Sequence, residues 1–205
     1  TGAVDSITTG DYNVGVGDSA GSAITTGTGN TALGGYHTLY TNSSGGHNTA
    51  VGYASLDKNT TASNNTAIGS YALTSNTTGT SNAAVGRQAL YSNTTGGNNT
   101  ASGYQALYWN TTASYNTAVG RTALYNNTTG SNNAAVGAYS LYSNTTASYN
   151  SSMGVQALFK NSTGNNNTAT GYKALYSNTT GLNNTANGYE ALKSGQSYTA
   201  GTFTV

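Results

Sequence analysis

Asn116-Thr117-Ala118-Val119-Gly120-Arg121-Thr122-Ala123-Leu124-Tyr125-Asn126-Asn127-Thr128-Thr129-Gly130-Ser131-Asn132 is one copy of a unit that the chain keeps repeating. The next copy starts at Asn133 and the previous one at Asn99, a step of 17 residues each way. Further copies start at Asn13, Asn30, Asn48, Asn65, Asn82, Asn150, Asn167 and Asn184, which makes eleven units over residues 13–192. A single step, from Asn30 to Asn48, is 18 residues long, and its extra residue falls between Gly34 and Leu39. Residues 1–12 read as an irregular leading segment or cap, and 193–205 as an exit tail leading to a cap or further domain. The unit at 13–29 is worn, with Gly21 where Leu usually stands. Atypical end repeats are a property of stacked arrays, whose outermost units have no neighbour on one side.

Comparison between copies within the chain reports what each place in the unit demands. The first place is Asn in every unit. The fifth is always Gly: Gly17, Gly34, Gly52, Gly69, Gly86, Gly103, Gly120, Gly137, Gly154, Gly171 and Gly188. A place that accepts only glycine needs either a positive φ or a close backbone approach, so these residues read as structural turns. The third place is nearly always Ala and the fourth mostly Val, Ile or Leu. Ala-Leu follows, then usually Tyr, then Asn-Thr-Thr-Gly or Asn-Thr-Thr-Ala.

A helix does not fit this unit. It would need apolar residues at i, i+3, i+4 and i+7, and it would carry a mid-unit glycine in every copy at about 1 kcal/mol each. Two short strands fit better. The first is Thr-Ala-Val, ended by the fixed glycine; the second is centred on Ala-Leu-Tyr and ended by Asn-Thr-Thr-Gly. Each unit is then one coil of an all-β solenoid, a β-roll of 17-residue coils. Coils stacked at the inter-strand spacing of about 4.8 Å make a rod roughly 50 Å long. Stacking puts like above like, so the Asn columns at the first place and at the loop (Asn42 through Asn178) should form amide ladders. Val119 and Leu124 are expected to fill a thin core, with Ala118 and Ala123 permitting close approach. So thin a core leaves an apolar strip uncovered, which points to an oligomer, a trimer about a common axis.

Composition narrows the partners. Charged residues are 5% of 205 and the net charge is +1, against about 25% charged residues in an ordinary domain. Nucleic acid binding needs clustered Lys and Arg, and a membrane surface needs a polybasic run; neither partner is expected. No stretch approaches the ~20 apolar residues of a membrane span. There is no cysteine, so no disulfide framework. The chain begins at Thr1, which reads as a fragment or the ordered part of a processed protein. The acids Asp5, Asp11, Asp18, Asp57 and Glu190 are scattered, and His37 and His47 lack a third metal-type ligand. Ser and Thr abound without a base beside them. Gly27-Thr28-Gly29 is followed by no Lys and so is no phosphate loop. An enzyme is not expected, nor a cofactor or metal.

The motif Asn-Thr-Ala-Val-Gly-Tyr-x-Ala-Leu, in variant form at 48–56 and 167–175, resembles the repeats of bacteriophage tail fibres. It is also similar to the head repeats of YadA-like trimeric autotransporter adhesins, with their Ser-Val-Ala-Ile-Gly core. The resemblance covers roughly residues 13–192. It implies a β-roll, a homotrimer, and an extracellular role on a virion or bacterial cell surface in host attachment, with a cell-surface glycan or receptor as partner. The Asn-Thr-Thr-Gly loop makes this unit longer than the family's.

The aromatic column Tyr40, Tyr91, Tyr108, Tyr125, Tyr142 and Tyr176, with Phe159 in place, reads in two ways. The rings could stack on sugars, or they could cover a subunit seam and stack on one another; the second is favoured because the column persists through so many coils. Trp109 occurs once and reads as a surface substitution or an exposed contact. The Asn-x-Thr/Ser triplets of the loops are formal glycosylation acceptors. The expected function is a structural, adhesive fibre segment. The alternatives are an extracellular amyloid-like filament and an ice-binding solenoid, the latter weakened because the Thr pair of the loop is adjacent and points opposite ways.

Overall fold

The computed structural model describes residues 2–194 and 201–204. Its strands are β1 (Val14–Val16), β2 (Thr31–Leu33), β3 (Thr49–Val51), β4 (Thr66–Ile68), β5 (Ala83–Val85), β6 (Thr100–Ser102), β7 (Thr117–Val119), β8 (Ala134–Val136), β9 (Ser151–Met153), β10 (Thr168–Thr170), β11 (Asn184–Asn187) and β12 (Gly201–Thr204). They form one parallel sheet in chain order. Each strand lies in register with the one a coil away, so Thr117 is beside Ala134, Ala118 beside Ala135 and Val119 beside Val136. The chain is therefore a β-solenoid of about 17 residues per turn, with no helix among the described residues.

The second expected strand is absent. Ala123-Leu124-Tyr125 and its equivalents form a turn. Thr122 and Leu124 both have φ +51°, and Leu39 through Leu192 repeat that left-handed conformation at +50° to +53°. A bulky residue in this region costs about 1–2 kcal/mol. Full burial of a leucine returns about 1.5–3 kcal/mol, and Leu124 is fully buried. Its N–H also donates to Ser140 O at 3.0 Å on the next coil. Burial and the inter-coil bond together outweigh the strain, which is why propensity alone misreads this segment.

The core also differs from expectation. Ala118, Ala123 and Leu124 are fully buried, but Val119 is 38% exposed. Thr and Val share one face of the strand and Ala takes the other, and the interior face is the alanine's. The Leu column occupies most of the interior, and the strand facing it holds only a methyl group. Where Ser152 replaces that alanine, its hydroxyl donates to Ala157 O at 3.0 Å and lies 2.7 Å from the Ser140 hydroxyl. A polar intruder is thus satisfied rather than orphaned.

The expected amide ladders are present, and they explain the loop. Asn127 Nδ2 donates to Asn110 Oδ1 on the preceding coil and to Gly130 O on its own, both at 2.9 Å. Asn116 Nδ2 donates to that same Gly130 O at 2.9 Å, while its backbone N–H donates to Asn99 Oδ1 at 3.0 Å. Two buried asparagines therefore clamp one carbonyl and close the corner. The first Thr of the loop donates its hydroxyl onward, as Thr94 Oγ1 does to Thr111 O at 3.1 Å. The second, such as Thr95, faces solvent. The glycosylation triplets of this loop are consequently closed: Asn42 through Asn178 at that place are buried, with their amides already engaged in the fold.

Candidate interaction surfaces

Among the described residues there is no pocket and no group of three His, Asp or Glu side chains placed to hold a metal. What the rod offers is its surface columns, each set by one place in the coil.

The aromatic column is half-buried and stacks on itself. Ring centroids are 5.0 Å apart from Tyr91 to Tyr108, 5.2 Å from Tyr108 to Tyr125 and 5.3 Å from Tyr125 to Tyr142. Phe159 and Tyr176 continue the stack at 5.2 and 5.1 Å. Interplanar angles are 4° to 17°. Each interior ring has both faces covered by its neighbours, so a sugar cannot lie on them. Burial and the adjacent phenols of Tyr91 and Tyr125 raise the Tyr108 hydroxyl above the usual tyrosine value. Trp109 meets Tyr108 edge-on at 4.9 Å and is exposed.

Tyr40 stands outside this stack. It stacks instead on His37 at 4.2 Å, and His37 stacks on Tyr36 at 3.8 Å. The next two coils put Asp57 and Thr74 in the column, which interrupts it. Asp57 Oδ1 lies 3.3 Å from His37 Nδ1. Burial pushes the Asp57 carboxyl up, and the charge and hydrogen bond of His37, with Lys58, pull it back only in part. A carboxyl whose pKa is raised by folding favours the native state while protonated, and that contribution is lost as pH rises through its folded pKa. Asp57→Asn is therefore expected to be more stable than the parent near neutral pH. The difference should vanish below the ordinary carboxylate pKa of about 3.9, where both side chains are uncharged. Urea midpoints across that range check it.

The outward face of the sheet is the second surface. It carries a Thr column (Thr31, Thr49, Thr66, Thr100, Thr117, Thr168, Thr185), interrupted by Ala and Ser, beside an apolar one. Val16, Leu33, Ile68, Val85, Val119, Val136 and Met153 are 37% to 59% exposed. Strands β1–β11 contain no charged residue. Sequence reading assigned this column to the core and so missed it as a surface.

The third surface is the edge that follows the fixed glycines. The exposed aromatics Tyr36, Tyr53, Tyr104, Tyr172 and Tyr189 stand there. They occupy a variable place in the unit, which is why the column comparison passed over them. Arg87 and Arg121 occupy the same place, with Lys173 one residue further on.

The fixed glycines themselves keep the coils close. Gly120 has φ +132°, and a Cβ on it would meet the backbone C and O of Gly137 at 2.7 Å. No family model, curated protein or solved structure matches the chain.

Proposed function

We propose that this chain is a stiff shaft segment of an extracellular fibre on a virion or bacterial cell surface. Copies of it pack side by side through the sheet face, three about a common axis, and the rod holds an attachment element away from its base. The observation that carries the reading is the charge-free, largely apolar column from Val16 to Met153 on that face, interrupted at Ser102. Val16 to Met153 covers eight coil steps, about 38 Å, and a strip about 15 Å wide over that length spans roughly 570 Å², the size of the largest apolar patches on single chains. Exposed apolar patches of this size on a single chain mark places where something packs.

Light scattering on the purified chain tests the proposal. The expected mass is three chains, and Val119→Lys with Val136→Lys should reduce it to one while leaving the solenoid's circular dichroism unchanged. A single-chain mass for the parent at micromolar concentration would rule the shaft assembly out.

Ice binding is a second reading, and the in-register Thr column of the strands favours it more than the loop pair does. The neighbouring column weakens it, because Val, Leu, Ile and Met differ in size and a lattice match needs uniform rungs. Thermal hysteresis from a single-chain species would put ice binding in place of the fibre.

A further inference from the structure

We propose that the turn edge of the coils from Asn82 to Asn184 binds an acidic polysaccharide, a polyuronate laid along the rod axis. The inference rests on the attachment reading and names the chemistry of what is attached.

Charge is unevenly spread along the rod. Residues 1–57 hold four acids and no Lys or Arg, whereas residues 58–193 hold all six cations and one acid, Glu190. Glu190 accepts from Lys193 Nζ at 2.7 Å, and Lys58 sits next to Asp57 in sequence. That leaves Arg87, Arg121, Lys160 and Lys173, none of which forms an ion pair among the described residues, although Glu190 one coil on lies close enough to attract Lys173. Each is held instead over a tyrosine ring. Arg87 Cζ lies 5.9 Å from the Tyr104 centroid and Arg121 Cζ 5.6 Å from Tyr139. Lys160 Nζ lies 5.5 Å from Tyr176, and Lys173 Nζ 5.0 Å from Tyr172. Stacking on an aromatic face steadies a cation without neutralising it, so the positive charges remain available to an outside anion.

Their spacing selects a polymer. Arg87 and Arg121 are two coils apart, about 10 Å, and Lys173 is a further three coils on, about 14 Å. No small anion bridges such gaps, and no pocket is present to enclose one. An extended chain with a carboxylate on every sugar or every second sugar meets them in turn. Between the cations the same edge supplies what a sugar backbone needs. Tyr104 and Tyr172 are exposed, and Gln88, Gln105 and Gln156 provide amides, with Gln105 Nε2 donating to Gln88 Oε1 at 3.0 Å. Three cations along this edge, with Lys160 beside the aromatic column, are too sparse for the dense phosphates of a nucleic acid, whose binding needs clustered Lys and Arg.

The test measures binding of alginate oligosaccharides to the full chain at low salt, with uncharged dextran and a single-stranded oligonucleotide as comparisons. Alginate should bind, weaken as salt rises, and lose about tenfold in affinity in the triple variant Arg87→Gln, Arg121→Gln, Lys173→Gln. The proposal is overturned if alginate does not bind, if the triple variant binds it equally well, or if dextran or the oligonucleotide binds as tightly. Light scattering on the same samples separates the two readings. A fibre mass without alginate binding removes this site alone, and a single-chain mass with alginate binding removes the fibre and leaves the site.

Discussion

Gly120→Ala is expected to destabilise the rod by roughly 2–6 kcal/mol. Two effects combine. A φ of +132° belongs to glycine, and an alanine forced there carries about 1–3 kcal/mol of strain. The added Cβ also falls 2.7 Å from the Gly137 backbone, which has no flexible end to move aside. Relieving that contact means parting two coils, at an overpacking cost of about 1–3 kcal/mol. Gly35→Ala is the matched comparison. A Cβ there meets nothing within 4 Å, so its effect should stay within about 0.5 kcal/mol. Urea unfolding of the two variants decides the matter, and equal midpoints would show that the glycine column is not a contact between coils. Because a solenoid's stability is a sum over repeats and their interfaces, Gly120→Ala should also open locally. Limited proteolysis is then expected to cut near the coils beginning at Asn116 and Asn133 before it cuts elsewhere.

Asn127→Ala is expected to cost about 3–5 kcal/mol, because the buried groups it leaves behind cost about 1–3 kcal/mol each. Asn110 Oδ1 loses its donor, Gly130 O loses one of two, and Asn144 Nδ2, which donates to Asn127 Oδ1 at 2.8 Å, loses an acceptor. Asn127→Asp separates hydrogen bonding from size. The shape is nearly unchanged, but the donor becomes a second acceptor facing Asn110 Oδ1 and Gly130 O. This variant should be less stable than Asn127→Ala near neutral pH and should recover in part in acid, where a protonated carboxyl regains one donor. A pH-independent loss would show that the ladder acts by packing alone. Asn126→Ser, a change to the residue at the equivalent Ser92, Ser143 and Ser177, should be close to neutral.

The Asn127 and Asp57 substitutions probe opposite sides of one economy. The rod has little apolar core: one leucine and two small residues per coil. Its coils hold together through hydrogen bonds that stack in register around most of the circumference. The strands supply some, as Thr117 N does to Asn133 O at 2.8 Å, and the turns supply others, as Thr128 N does to Thr145 O at 2.9 Å. A buried amide with every partner in place suits such a column. A carboxyl does not, and the partly buried Asp57, which itself interrupts the aromatic stack, carries a pKa raised by that burial.

The period, the strand at Thr117-Ala118-Val119, the turn at Gly120 and the buried Asn ladders were all legible from residue columns. Each is a demand repeated at every coil, and a backbone that accepts only glycine, or a polar amide that never varies, leaves the same mark in each copy. Three things were decided only in three dimensions. Which face of the strand turned inward depended on how much interior the Leu column left, and the remainder accommodated Ala118 and excluded Val119. The segment at Leu124 became a left-handed turn because burial and a bond to the next coil outweighed local strain. The Tyr91–Tyr176 column was legible, but whether its faces met sugar or one another depended on the coil rise, which sets neighbouring rings at stacking distance. The cation-bearing edge was invisible to column comparison for a different reason. Its residues differ from coil to coil: Arg87 and Arg121 share one place and Lys173 takes the next, so no column is filled by cations, and the tyrosine rings beneath them are seen only in the fold.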